Sequence, residues 1–423
     1  MSPVGWRELT VDDIKAAEPH ALAGGPFGSD LVSADYTEVG VPVIRGSNFA
    51  GDERRHIIGP FAFVSPAKAA ALVRSQARAG DVIFTQRGTL DQVALIASDD
   101  RYGTYVISQS QMKLTCDRAQ ALPEYVYYWF RTPQILDYID RHTIATGVPH
   151  INLGILKRAP ITLPPLAEQA VIVQALRALD DRVSALRGLA AAAEGLFHAL
   201  FEGWFVRRDV PGLKDIIGQG PGAWPRRPLI ELARFQNGTA FRGVDFCGPD
   251  EGLPVIKIGE LRRGISRQTR RSLSGGRRVR KIRDGDVLFA WSGNPQSSIG
   301  TFLWGGGDAW LNQHIFRVDP ERAEDRAYLY GLLCRLQADF VEIARNHQTT
   351  GLGHIAKRDL RRLAIEHPPL ALRRAFDHET APLWAAILAA QAEIGALGEA
   401  RDLLLPELLG GRVRLGQLAI NSG

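Results

Sequence analysis

Cysteine is scarce in this 423-residue chain, and Cys116, Cys247 and Cys334 lie far apart with no CxxC or metal-ligand spacing. That leaves no basis for a disulfide framework or a cysteine-held zinc, so a reducing cytoplasm is the expected setting and no metal ligands are expected. Long apolar runs are missing too. No stretch offers eighteen uninterrupted apolar residues, and the N-terminus, MSPVGWRELTVDDIKAAEPH, is broken by acids; neither a membrane span nor a secretory leader is expected. Catalytic motifs are the third absence. There is no GxxxxGK[ST] loop, HExxH or GxSxG. GNPQ at 293–296 lacks the second proline and the aromatic residue of the Asn-Pro-Pro-aromatic motif used by amino-methyltransferases. No nuclease-like set of Asp, Glu and Lys recurs in both halves, so no catalytic residue is assigned.

What is present is ordinary globular material, 45% hydrophobic and 23% charged, long enough for two or three domains. It is also written twice. TGVPHI at 146–151 returns as TGLGHI at 350–355, 204 residues on. The same or nearly the same offset pairs VPVIRGSNF (41–49) with LPVIKIGEL (253–261), and AGDVIFTQRGT (79–89) with DGDVLFAWSGN (284–294). It also sets Ser108-Gln109 opposite Asn312-Gln313, EYVYYWF (124–130) opposite AYLYGLL (327–333), and LPPLAEQ (163–169) opposite HPPLALR (367–373). Six collinear pairs point to an internal duplication. The β-branched runs bounded by Gly or Pro predict strands.

After each Pro-Pro comes a heptad seam. In the first copy it reads Ile172, Leu176, Leu179, Val183, Leu186, Ala190, Ala193, Phe197 and Leu200. The second copy reads Phe376, Thr380, Leu383, Ile387, Ala390, Ile394, Leu397, Arg401 and Leu404. Pro382 inside the second segment is expected to kink or restart it, and Arg401 breaks the apolar seam. The segmentation that follows is a mixed α/β domain over 1–165, a spacer helix over 166–206, a Gly/Pro-rich connector over 207–221, a second mixed domain over 222–369, a second spacer helix over 370–415 and a tail over 416–423. The fold class is α+β, with the two helices pairing as an antiparallel coiled coil; the connector is long enough to permit a parallel pairing as well.

Net charge is +5 with a pI near 9.2, a mild basicity concentrated in LRRGISRQTRRSLSGGRRVRKIR at 261–283, which holds ten Arg or Lys and no acid. Such a run repels itself unless it meets an anion, and arginine suits phosphates and guanine edges. DNA or RNA is the partner it fits; a solvated basic loop is the plainer alternative. Candidate DNA contacts are Arg45, Asn48, Gln86, Arg87, Gln109 and His150 in the first domain. In the second they are Lys257, Arg262, Arg263, Arg277, Arg278, Arg280, Lys281, Asn312, Gln313 and His354.

Two mixed domains, each followed by a Pro-Pro-Leu turn and a long heptad helix, resemble the specificity subunit of type I restriction-modification systems. GPFGSDL (25–31), ITLPPLAEQ (161–169), ALFEGWFV (199–206) and ARDLLLPELLGGRVRL (400–415) carry the resemblance, which extends over essentially the whole chain. It implies target-recognition domains that each read half of a bipartite DNA site, and helices that act as a ruler and dock methyltransferase subunits. It also implies, in complexes that cleave, a translocating restriction subunit, with S-adenosylmethionine, ATP and magnesium held by partner subunits rather than by this chain. GPFG has no clean second copy, only NGTAFRG at 237–243, and PPLALRR loses the Glu-Gln of its counterpart. The competing readings are a self-sufficient DNA-modification enzyme with an unrecognised site and an interaction scaffold that does not bind DNA.

Overall fold

The computed structural model describes residues 5–49, 55–98, 102–145, 147–210, 216, 224–249, 251–266, 268–274, 281–348 and 351–414. The chain divides into two compact units, 1–184 with 400–423, and 185–399.

In the first unit, β1 (Arg7–Thr10) pairs antiparallel with β11 (Pro160–Leu163). Between them lie two sheets. One has the order β2-β10-β7-β8, from Leu22–Gly24, Gln111–Leu114, Val82–Thr85 and Val93–Leu95. The other has the order β3-β5-β4-β9-β6, from Tyr36–Thr37, Ala62–Val64, Val41–Ile44, Tyr105–Ile107 and Gln76–Ala77. Strands β7, β9 and β10 are buried along their whole length; β7 and β9 accordingly read as near-continuous apolar runs, whereas β10 alternates and its buried Lys113 lies 3.7 Å from Asp81. The helix Pro123–Trp129 starts on a proline, where a missing N–H costs nothing. It buries Tyr125, Tyr127, Tyr128 and Trp129 in the core, and Phe130, just past its end, meets Phe84 of β7 at 4.5 Å between ring centroids.

The second unit repeats this plan. β12 (Arg226–Pro228) pairs with β23 (Ala364–Glu366). The sheet β13-β21-β17-β19 is built from Ala233–Asn237, Ile315–Pro320, Val287–Ala290 and Gly300–Leu303. The sheet β15-β14-β20-β16 is built from Arg271–Ser272, Leu253–Ile256, Ala309–Leu311 and Lys281–Ile282. In each unit's second sheet a parallel strand pair is central, β4 with β9 and β14 with β20. A two-residue pair, β18 (Ser292–Gly293) with β22 (Gly353–His354), holds the second hexapeptide.

The long helices are Leu166–Phe201, continued by a π-turn over Glu202–Arg207, and Leu370–Leu409. The second runs unbroken through Pro382, which corrects the expected restart. Pro382 is exposed, so water can satisfy the carbonyl that its missing N–H leaves over. By length and composition this is the one helix among the described residues that could cross a membrane; its Phe376 and Ile387 nevertheless sit in the core of the second unit with Phe197 and Phe201.

Within each unit the helices run antiparallel. In the first, Asp180 meets Arg401 at 3.3 Å and Glu168 meets Arg414 at 3.8 Å. In the second, Phe197 meets Trp384 and Phe205 meets Phe376, at 6.1 and 4.9 Å between centroids. Ile172, Leu176, Val183, Leu186, Phe197, Phe376 and Ile387 are buried, and Leu179, Leu200, Leu383, Ile394 and Leu397 are half-buried. Leu404 departs from the expected seam: it is 38% exposed, whereas Leu405 is 4% exposed. From Arg401 the buried face advances by four residues, as from Phe197 to Phe201, because a real helix turns in about 3.6 residues and drifts against a strict heptad.

Each helix is anchored near its start by a buried polar side chain. Gln169 is fully buried. Its Nε2 donates to Gln120 O and Pro164 O at 2.8 and 2.9 Å, and its Oε1 accepts from Leu122 N at 2.9 Å. In the second unit Arg373 stands in that place. Its Nε donates to Pro368 O at 3.1 Å and its Nη1 pairs with the Asp325 carboxylate. The missing Glu-Gln is therefore a substitution of one anchor for another.

Candidate nucleic-acid interface

The ends of the central strands carry the polar turns, and in the first unit main-chain bonds gather them along one edge. Ser108 N donates to Ile44 O (2.9 Å), Gln86 N to Ser110 O (2.6 Å), Gly25 N to Gln111 O (2.9 Å) and Ile151 N to Gln86 O (3.0 Å). Gln109 Nε2 adds a bond to Gly28 O at 3.1 Å. Arg45, Gln86, Arg87, Gln109 and His150 thus issue from a single cluster of loops.

All four main-chain bonds recur in the second unit. Asn312 N donates to Ile256 O (3.0 Å), Trp291 N to His314 O (3.2 Å), Gly238 N to Ile315 O (3.1 Å) and Ile355 N to Trp291 O (2.9 Å). Lys257, Gln313 and His354 are gathered in the same way. The GPFG loop has its counterpart after all: a Cβ on Gly25 would strike the carbonyl of Ser108, and one on Gly238 the carbonyls of Leu311 and Asn312. Only glycine lets these loops close over the strand ends.

The cations on this edge are held in matching ways. The Arg45 guanidinium lies 5.5 Å from the centroid of the Tyr36 ring, and Lys257 Nζ lies 5.6 Å from that of Phe246. Arg270 approaches the same Phe246 ring at 4.9 Å. Such a contact contributes about 0.5–1 kcal/mol at an exposed site. More usefully, it narrows the arc swept by a flexible cation before any ligand arrives. Tyr36 and Phe246 are not among the residues that the sequence singles out. Loops of unequal length move the offset from 204 to 210 at the rings, which hides their correspondence.

Several candidates change role. Asn48 is buried; its Oδ1 accepts from Arg45 N at 2.8 Å and its Nδ2 donates to Ile58 O and Pro60 O at 2.8 and 3.0 Å. It is a turn cap, and Glu260, accepting from Lys257 N at 3.0 Å, does the same work in the second unit. Asn312 is also buried, within its own turn. Lys281 lies 2.6 Å from Asp308, a carboxylate that already answers its charge. Gln313 Nε2 lies 3.1 Å from His314 Nε2. His150 Nδ1 lies 3.1 Å from Val148 O, and the His354 ring lies near that of His347, at 5.3 Å between centroids. Arg262 and Arg263 occupy the exposed last turn of the helix Ile258–Arg263. Arg277, Arg278 and Arg280 lie outside the described residues.

An aspartate precedes each of the strands β7 and β17, at the end away from these loops. Asp81 and Asp286 accept from Arg78 N and Arg283 N, both at 3.0 Å. Burial raises both carboxyl pKa values above the ordinary range. Among the described residues no group of three or more His, Cys, Asp or Glu converges as a metal site would require.

The model of the type I restriction modification DNA specificity domain matches this chain twice, over residues 71–194 and 221–373. The chain belongs to the type I restriction-modification specificity subunits. It is 20% identical over 351 residues to the type I restriction enzyme MjaIX specificity subunit of Methanocaldococcus jannaschii, covering 80% of this chain and 79% of that one. The MjaVIII specificity subunit of the same organism is 27% identical over 158 residues, 36% of each chain. In fold, this specificity subunit resembles the crystal structure of the type I restriction-modification system S subunit from M. genitalium, with a TM-score of 0.52 at 16% identity, covering 95% of this chain and 96% of that one. Specificity subunits are the non-catalytic, DNA-recognising members of their complexes, so DNA and the other restriction-modification subunits are this chain's partners.

Proposed function

We propose that each unit of this specificity subunit reads one half of a bipartite duplex target through its loop cluster. Arg45, Arg87, Gln109 and His150 serve one half-site; Lys257, Arg262, Arg263, Gln313 and His354 serve the other. The observation that carries this reading is the repeated edge, in which corresponding turns set a cation beside an aromatic ring in both units. A docking surface for methyltransferase subunits along the long helices is supported by Leu189 and Leu196, seven residues apart on the first helix, and by Leu403 on the second, all exposed. S-adenosylmethionine belongs to those partners in this reading, and ATP and magnesium to a translocating restriction subunit where one is present. The three free cysteines fit a reducing cytoplasm.

Long-read sequencing of DNA from a host expressing this chain with its methyltransferase partner tests the proposal. A methylated motif of two short blocks around an unread spacer is expected. Arg45→Ala and Lys257→Ala should each lower the salt slope of binding by about one. Methylation of DNA by the isolated chain, or a single uninterrupted motif, would overturn the reading.

A further inference from the structure

The two hexapeptides share a backbone conformation as well as a sequence. Gly147 and Gly351 hold positive φ angles of 81° and 84°, and the residue that follows each is an exposed aliphatic, Val148 at 61% and Leu352 at 60%. The loops are pinned alike: His150 bridges Arg87, and His354 pairs with Ser292. A large apolar side chain displayed to water at the same place in both copies gains nothing in the folded chain, since burial would stabilise it and exposure does not. A surface that sets such a tip on a left-handed glycine and pins it to a neighbouring strand end in both halves has a use for it.

We propose that Val148 and Leu352 are apolar base-contacting tips, each set against base edges in the groove of one half-site, where the thymine methyl is the apolar group on offer. The inference rests on the DNA reading above and deepens it. The neighbours favour duplex DNA over a protein as occupant, because Arg87 is exposed beside the first tip and Arg45 and Lys257 issue from the same edges. Cations suited to phosphates that issue from the same loop cluster as an apolar tip match a groove. The residue after each tip differs for a reason outside the tip. Gly353 faces the Ala344 carbonyl of a packed helix, which a Cβ would strike, whereas the first copy has Pro149 there.

The test uses the full chain assembled with its methyltransferase partner, probed on the bipartite site that the wild-type complex methylates. Val148→Ser and Leu352→Ser should each weaken specific binding about tenfold, the cost of a mismatched base pair. Each should relax the motif in one half-site only, the two variants acting on different halves, with the salt slope unchanged. Val148→Ile and Leu352→Met, which keep an apolar tip, should retain the wild-type motif. Serine variants with wild-type affinity and motif would overturn the inference, as would relaxation of both halves together or loss of the methyltransferase partner in place of DNA. A wild-type complex that protects no two-part site overturns the underlying reading instead.

Discussion

At the residue scale, the anchor near the start of each long helix carries a measurable asymmetry. Gln169 is neutral, and its replacement by Ala leaves Leu122 N and two carbonyls short of partners, a loss of about 1–3 kcal/mol. Arg373 neutralises the buried Asp325, so Arg373→Ala strands a carboxylate and should cost about 3–5 kcal/mol. Chemical denaturation of the two variants is expected to show the larger loss for Arg373→Ala; equal losses would mean that Asp325 finds another partner. The hexapeptide glycines give a second measurement. Gly147→Ala and Gly351→Ala place a side chain at a φ of 81° or 84° with open space around it, so each should lower stability by about 1 kcal/mol through backbone conformation alone.

At the element scale, the seam makes its own prediction. Leu405→Ala should destabilise by about 2–5 kcal/mol, because Leu405 is packed in the first unit's core with Ile172 and Leu176. Leu404→Ala should fall within about 0.5 kcal/mol of wild type, and thermal melts of the pair separate the observed seam from a strict heptad. The two helices were legible in the sequence because apolar residues spaced alternately by four and three over many turns line up only on a helix. Their last turns were not, since a one-residue drift accumulates only at the end of a long helix. The strands were legible as buried β-branched runs, whereas their pairing into two sheets depends on contacts far apart in sequence. For the reading edge, turn composition pointed to Arg45, Arg87 and Gln109 but could not separate the cap Asn48 from its exposed neighbours, because capping and base contact call for the same amides.

At the scale of the whole molecule, pH sensitivity is expected to draw on the second unit. Burial lowers the pKa of His198, and burial followed by the charges of Arg373 and Arg227 lowers that of His367. Both imidazoles stay neutral in the folded chain at a pH where the unfolded chain binds protons. Stability should therefore be fully present above about pH 6.5, the unfolded value, and fall as pH drops through it toward the lowered folded values. Melting curves recorded from about pH 7.5 to about pH 5.5 should show this decline, and a His198→Gln/His367→Gln double variant should flatten it; an unchanged slope would assign the effect to other groups. A duplicated chain can thus carry unequal sensitivities in its two copies, because the repeat preserves backbone geometry far better than it preserves side-chain chemistry.

That inequality has a consequence for how such a chain can diverge. Gene recombination that moved a first domain onto the second helix would set Arg373 against a surface whose native partner, Gln169, asks only for neutral carbonyls and an amide. The guanidinium would be sealed in without Asp325. The reverse exchange would leave Asp325 facing an amide. A domain replaced at its own position therefore keeps a matching anchor, while a domain moved between the two positions meets a mismatched buried charge.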